Sequence, residues 1–291
     1  MEKCIICGSR KFIELGNIKN GDYAEKFLKE HSLIKCKKCG LISINPVPSK
    51  KILEVIYSNP EYSAWTTEKD SEKENIRLSN FKYYFKKIKR RIKKGKLLDC
   101  GCATGFFLDI ARENKFDVYG IEISEIPFAI ANKKHKDRIF EDDFEEIKIE
   151  KESFDLITMF DFIEHTINPR DILKKAHDIL ARGGFLVITT PDAGSMSMRI
   201  MKKSHTNYIL EHLNIFNKKN ISKLLSDLGF EIQEIIPARK ILSLDYAEKV
   251  FKTHKNILWY PTHFLNSLIG KYKFSPIKIS FGDMLIIARK K

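Results

Sequence analysis

The sequence predicts an α/β chain in which a mostly parallel sheet, covered by helices on both faces, follows a small cysteine-built ribbon. Three observations carry that expectation. Apolar strand-like runs alternate with helical patterns from Lys96 to Asp192, a turn of small residues (DCGCATG) follows the first run, and two CxxCG units stand ahead of both.

The ribbon comes first. CIICGS and CKKCGL supply Cys4, Cys7, Cys36 and Cys39. Two residues between thiols let both face one ion, and the glycine after each pair permits the tight turn that aims backbone N–H groups at the sulfurs. Four protein ligands close the site, so the expected ion is a structural Zn2+ that holds the fold and activates no water. In a reducing compartment a disulfide reading is weaker. The ribbon is expected over 1–45, a connector with a basic amphipathic helix over 46–94, and the α/β domain over 95–291.

In the connector, Pro46, Pro48 and Pro60 punctuate one short helical pattern within LISINPVPSKKILEVIYSNPEY. A longer helix is predicted over EKENIRLSNFKYYFKKIKRRIKKGK, with Phe81, Tyr84, Phe85, Ile88 and Ile92 on one face and Gly95 as its stop. That apolar face should pack on the sheet and leave a solvated basic face.

The alternation then runs in order: strand KLLDCG, helix FFLDIARENK, strand DVYGIEI, helix EIPFAIANKKH, a short RIFEDDF, strand FDLITMFD, helix PRDILKKAHDILARGG and strand FLVITTPD. Such alternation means parallel strands joined by crossover helices. Helix NISKLLSDLG, strand FEIQEIIP and a final strand DMLIIARKK close the chain, with an insertion over about 239–280 before the last strand.

With 43% hydrophobic and 31% charged residues, the 291-residue composition is that of a globular chain. No apolar run approaches the roughly 20 residues of a membrane span. The N-terminal MEKCIICGSR carries no signal-peptide core, so a cytoplasmic location is expected. The formal charge of +14 attracts polyanions, although the lysines are dispersed as a compositional bias would disperse them.

Gly101, Ala103 and Gly105 keep the first strand-to-helix turn small enough for a ligand to approach its backbone. Their alternate spacing differs from the G-x-G-x-x-G of nicotinamide sites. Glu122 closes the second strand, where a carboxylate can accept hydrogen bonds from both ribose hydroxyls.

On these residues the sequence resembles the class I S-adenosylmethionine (SAM)-dependent methyltransferases: LLDCGCATGFFL resembles their first motif, D-x-G-x-G-x-G, with Ala103 at the middle glycine. The stretch from FDLITMFDFIEH to FLVITTPD is similar to their fourth and fifth strands, and LGFEIQEIIP with GDMLIIARKK to their closing antiparallel hairpin. The resemblance implies a Rossmann-like sheet and SAM as cofactor. It implies that Asp99 and the turn of Gly101, Cys102, Ala103 and Gly105 hold the methionine part, Glu122 the ribose, and Asp143 and Phe144 the adenine, with Ile123 and Phe160 completing the contacts. The ribbon followed by NPVPS and YSNPEY is similar to a group that includes sugar C-methyltransferases and enzymes of glycan or secondary metabolism.

Because a sulfonium methyl is already activated, such an enzyme aligns an acceptor and removes its proton. In SHTNYILEHLNIFNKK the resemblance points to His212 as general base with Glu211 orienting it; His205 and Tyr208 read as ordinary loop residues. Glu164 and His165 read as structural or cofactor-side groups, and Cys100 and Cys102 as small turn residues. The expected reaction is SN2 transfer to oxygen or carbon of a small molecule, a nucleotide sugar or a glycan or secondary-metabolite precursor. RNA held by the ribbon and the basic helix is the alternative, though MFDFIEH stands where a base-methylating NPPY-like motif would fall. NILWYPTHFLNSLIG reads as a cover for the substrate pocket, with peripheral membrane contact as its other reading.

Overall fold

The computed structural model describes residues 2–18, 25–59, 71–201, 205–238, 240–253, 259–269, 276–279 and 282–291. The ribbon is built from β1 (Phe12–Asn17), β2 (Ser32–Cys36) and β3 (Ile42–Asn45), all antiparallel. It does not end there. β3 also pairs with β9 (Asn214–Ile215), so a segment of the α/β domain forms the fourth strand of the ribbon sheet. Cys4, Ile6, Cys36 and Leu41 lie in one buried cluster with Leu98, Phe144, Ile157 and Phe216, which makes the ribbon a part of the main core.

The central sheet contains β4 (Gly95–Cys100), β5 (Phe116–Ile121), β6 (Ile139–Phe140), β7 (Phe154–Phe160), β8 (Leu180–Pro191), β10 (Phe230–Pro237) and β13 (Asp283–Lys290). Their order is β10-β13-β8-β7-β4-β5-β6. The strands from β8 to β6 are parallel, while β13 runs antiparallel to both β8 and β10. The predicted Rossmann-like sheet with an antiparallel closing pair is therefore the observed one. Strand order reverses between β4 and β7, and the crevice beyond their carboxyl ends is where a ligand binds in open α/β sheets.

Helices Phe106–Glu113, Glu125–His135, Pro169–Ile179 and Lys218–Asp227 cover the faces. Helix Ser71–Ile88 buries Tyr84, Phe85 and Ile88, and its rings meet the sheet side: Tyr84 stacks on Phe160 at 5.6 Å, and Phe85 lies 6.1 Å from Phe107 and 5.8 Å from Phe116. The aromatic face predicted to pack on the domain does so. The helix nevertheless ends at Ile88, ahead of the expected Gly95, which opens β4 at φ 143°. Ile88 is the last fully buried anchor of that face, and the following run of Lys89, Arg90, Arg91, Lys93 and Lys94 adds like charges that a further turn would stack together.

A second difference lies at Leu180–Gly184, predicted as the end of a helix and found as the start of β8. Leu180 pairs with Phe154, and a bulge absorbs the extra residues before Leu156 meets Phe185. Within the insertion, β11 (Lys240–Ser243) and β12 (Pro276–Ile279) pair as a two-stranded sheet carrying helices Leu244–Thr253 and Trp259–Ile269.

Candidate active site

At the end of β4 the chain turns through Gly101 (φ 73°), Ala103 (φ 47°) and Gly105 (φ 78°). These alternate left-handed residues explain the spacing of small side chains, because only glycine adopts that region without strain. A Cβ on Gly101 would stand 2.9 Å from the Phe162 ring. Gly105 offers no side-chain cap to the first N–H groups of helix Phe106–Glu113. Ala103 holds the one strained alanine of the turn. Ala103→Gly should raise the melting temperature, by about 1 kcal/mol of relieved strain, in a thermal unfolding scan; a lower melting temperature would contradict this account of the loop.

Glu122, only 8% exposed, braces the turn from β5: its Oε2 accepts from the Ala103 N–H at 2.9 Å and its Oε1 from the Ser124 N–H at 2.8 Å. Asp99 is buried, and its Oδ1 accepts from the Thr158 hydroxyl at 2.5 Å. Burial pushes the Asp99 carboxyl up to about 7, against the pull of the Thr158 hydroxyl, and the Glu122 charge adds to the rise. The Glu122 carboxyl is also raised by burial, while its backbone donors pull the other way. Two buried carboxyls beside an uncapped helix N-terminus and glycine-cradled backbone fit a ligand bearing cationic, anionic and hydroxyl groups.

The other expected cofactor contacts are placed unequally. Ile123 is 57% exposed at the rim and Asp143 is half-buried, accepting from the Glu145 N–H at 2.9 Å. Phe144 is 1% exposed, edge-on to Phe162 at 6.2 Å and with the Lys175 ammonium 5.3 Å over its ring, so its faces are already covered. Phe160 belongs to the aromatic cluster with Phe107, at 4.7 Å, and helix Ser71–Ile88. The Cys102 side chain is buried against Gly120 and Leu108, which leaves its backbone as the group nearest the crevice. Burial pushes the thiols of Cys100 and Cys102 well up, so neither is a nucleophile.

Groups from three separate stretches of the sequence meet beyond β7 and β8. Glu164, His165 and His212 each bring one ligand-type atom within 4.8 Å of the others, a set that a divalent cation could share. The His165 and His212 rings lie 4.9 Å apart edge to face, and Tyr57 from the connector lies 6.5 Å from His165. Burial, then the neighbouring His212, pushes His165 down to about 3, so it stays neutral. Burial, then the Asp161 charge, raises Glu164 well above the carboxylate range. His212 Nδ1 lies 2.9 Å from the Asn207 carbonyl, a backbone oxygen that helps to set the ring's orientation, and the neighbouring Glu211 side chain is fully buried. A proton on Nδ1 leaves Nε2 as the basic nitrogen. The ribbon grips the next residues: Leu213 O accepts from the Ile44 N–H at 3.1 Å, and Asn214 Oδ1 accepts from the Ser43 hydroxyl at 3.1 Å. Neither Asn207 nor this grip carries a sequence signal, because both depend on distant pairing. His205 and Tyr208, read as loop residues, are buried among Ser197, Asn207 and the ribbon cluster.

A cavity of about 720 Å³ opens between the ribbon and the ends of β8 and β13. Lys35, Arg199, Lys218 and Lys219 give it four cations, and Asp192 and Asp283 form its acidic wall. Asn207 joins this cavity to the histidines, since its side-chain amide donates to Asp283 Oδ1 at 3.0 Å while its carbonyl meets His212. The paired thiols lie elsewhere in the ribbon. Cys4 and Cys39 sulfurs are 3.5 Å apart, as are those of Cys7 and Cys36, and all four lie within 4.8 Å.

Comparison with known proteins agrees with this geometry. A family model described as "Methyltransferase domain" matches residues 75–235, just over half of the chain. The uncharacterized protein MJ1123 of Methanocaldococcus jannaschii is 27% identical over 153 residues, 52% of this chain and 72% of its own. The ubiquinone biosynthesis O-methyltransferase of Pseudomonas aeruginosa strain UCBPP-PA14 is 26% identical over 101 residues, a match that spans 33% of this chain and 44% of that enzyme. Among solved structures, a SAM-dependent methyltransferase of Thermotoga maritima described as a possible histamine N-methyltransferase aligns with a TM-score of 0.52 at 20% identity, covering 79% of this chain and 95% of that one. The PH0226 protein of Pyrococcus horikoshii aligns with a TM-score of 0.55 at 17% identity, over 80% of this chain and 100% of its own. With the matched family model spanning the turn, Glu122 and both central strands, the chain belongs to the methyltransferase-domain family and is a SAM-dependent methyltransferase.

Proposed function

We propose that the enzyme methylates an oxygen or carbon of an anionic small molecule, a nucleotide sugar or another phosphorylated glycan or secondary-metabolite precursor, with His212 as general base. The carrying observation is the cation-lined cavity tied to His212 through Asn207 and Asp283. Its volume of about 720 Å³ suits a ligand of that size. Four cations there would complement phosphate charge.

When bound, the cofactor supplies a sulfonium-activated methyl group. The chain's residues do the rest. Asp99 and the 101–105 backbone would receive its methionine part, Glu122 its ribose hydroxyls, and Ile123 and Asp143 its adenine. His212 Nε2 would take the acceptor's proton, while neutral His165 and the buried Glu164 exclude water and shape the pocket. Tyr84 and Phe85 of helix Ser71–Ile88 are engaged with Phe160 and Phe107, which favours the small-molecule reading over RNA stacked on those rings. Pretreating a small-molecule extract of the source cells with phosphatase should abolish methyl acceptance. Undiminished acceptance would overturn the phosphorylated class.

A pH dependence of cofactor binding follows from Asp99. Its carboxyl is raised to about 7 in the free protein, so below that pH a proton must leave before a cationic ligand is favoured. SAM affinity should therefore rise with pH, by up to about tenfold per unit below 7, and level off above it. Calorimetric titrations between pH 5.5 and 8.5 check this, and Asp99→Asn should flatten the profile.

We further propose that Cys4, Cys7, Cys36 and Cys39 bind a structural zinc ion. Sulfur separations of 3.5 Å are too long for disulfides and near the ~3.8 Å edge of a tetrahedron with Zn–S bonds of about 2.3 Å.

A further inference from the structure

Helix Trp259–Ile269 turns its large apolar side chains to solvent, which does not suit a cover. Its one buried residue is Asn266, whose amide donates to Leu244 O at 3.2 Å and to Glu248 Oε2 at 2.5 Å. The large apolar residues face out. Tyr260, Phe264 and Leu268 are 68%, 63% and 66% exposed and recur every four residues, which lines them along one stripe, with Leu265 beside it at 45%. None of the residues lining the cavity comes from this helix. Exposed apolar residues aligned in one stripe are the pattern of a contact surface.

The charge of the surrounding sequence points to that occupant. From Lys249 to Gly282 the sequence contains six lysines, seven aromatic residues and no acid. The nearest acids upstream, Asp245 and Glu248, are engaged by Lys249 at 2.9 Å and by His263 at 2.7 Å. An outward apolar and aromatic stripe within an acid-free, lysine-rich segment has the chemistry of an interfacial helix on an anionic lipid surface. A protein groove would complement the apolar stripe alone; only a surface that is apolar beneath and anionic above complements both features. No helix among the described residues is long and apolar enough to cross a membrane, so the contact is peripheral.

We propose that helix Trp259–Ile269 docks the enzyme on anionic phospholipid, with Tyr260, Phe264, Leu265 and Leu268 entering the acyl boundary and the flanking lysines contacting headgroup phosphates. The full-length chain carrying Trp65→Phe, so that Trp259 is its sole tryptophan, is mixed with phosphatidylcholine vesicles with or without about 30% phosphatidylglycerol. With the anionic vesicles the protein should sediment and Trp259 emission should shift to the blue, both weakening as salt rises. Neutral vesicles should give neither. The triple variant Tyr260→Ser, Phe264→Ser, Leu268→Ser should partition at least about tenfold less while keeping its thermal stabilisation by SAM; the single change Leu268→Glu should weaken partition in the same direction. Absence of sedimentation with anionic vesicles, or equal partition by the variants, overturns the proposal. So does a wild-type dimer that the triple variant converts to monomer, because a second copy would then be the occupant.

Discussion

Cys36→Ser is expected to release the metal and to remove activity through the His212 segment, leaving cofactor binding in whatever remains folded. Metal binding to zinc-finger peptides contributes about 10–16 kcal/mol of apparent folding energy. In this chain the effect should not stay local. Cys36 ends β2, β2 pairs with β3, and β3 pairs with β9, which begins two residues after His212. Cys4 and Cys36 also share the buried cluster that contains Ile157 and Phe216, and the Cys39 carbonyl accepts from the Asn217 amide at 3.0 Å. Zinc content should fall from about one ion per chain to near zero, and the melting temperature should drop by roughly 10 °C, the scale of several kcal/mol in a chain of this size. The 101–105 turn follows β4, and Glu122, which follows β5, braces it through the Ala103 N–H. Elemental analysis, a thermal scan and a SAM titration on one preparation check all three. Full zinc content or an unchanged melting temperature would contradict the assigned ligand set.

His212→Ala should lower turnover by about 10²- to 10⁴-fold, the range for loss of a positioned general base, with the SAM dissociation constant unchanged. His212 stands beside His165 and Asn207, while the cofactor turn is braced by Glu122. Glu122→Ala should show the reverse pattern, with weakened SAM binding. Retention of full activity by His212→Ala would transfer the base to another group of the cluster.

Much of the sheet was legible because its strands are apolar on both faces. KLLDC and FDLITMF read as continuous apolar runs, which is how strands covered by helices on both sides read. DCGCATG was legible for a different reason: alternate left-handed backbone demands small residues, and the structure shows positive φ at Gly101, Ala103 and Gly105. Local rules failed where distant partners decide. Leu180–Gly184 continues a helical pattern, yet pairing with Phe154 across a bulge makes it extended. The ribbon's fusion to the catalytic segment rests on Ser43 meeting Asn214, 171 residues away, and periodicity carries no record of such pairing. The same limit hid Asn207 as the group orienting His212, because the contact is a backbone carbonyl that any residue supplies. Tyr57 near His165 was likewise invisible, since only the folded connector brings it there.

The central claim is methyl transfer from SAM to a small anionic acceptor, and the most direct measurement is incorporation of labelled methyl into an extract of the source cells, separated by size before and after RNase treatment. The account predicts label in the small-molecule fraction, insensitive to RNase and lost with His212→Ala. Label that stays in large material until RNase is added would contradict it and assign the acceptor to RNA.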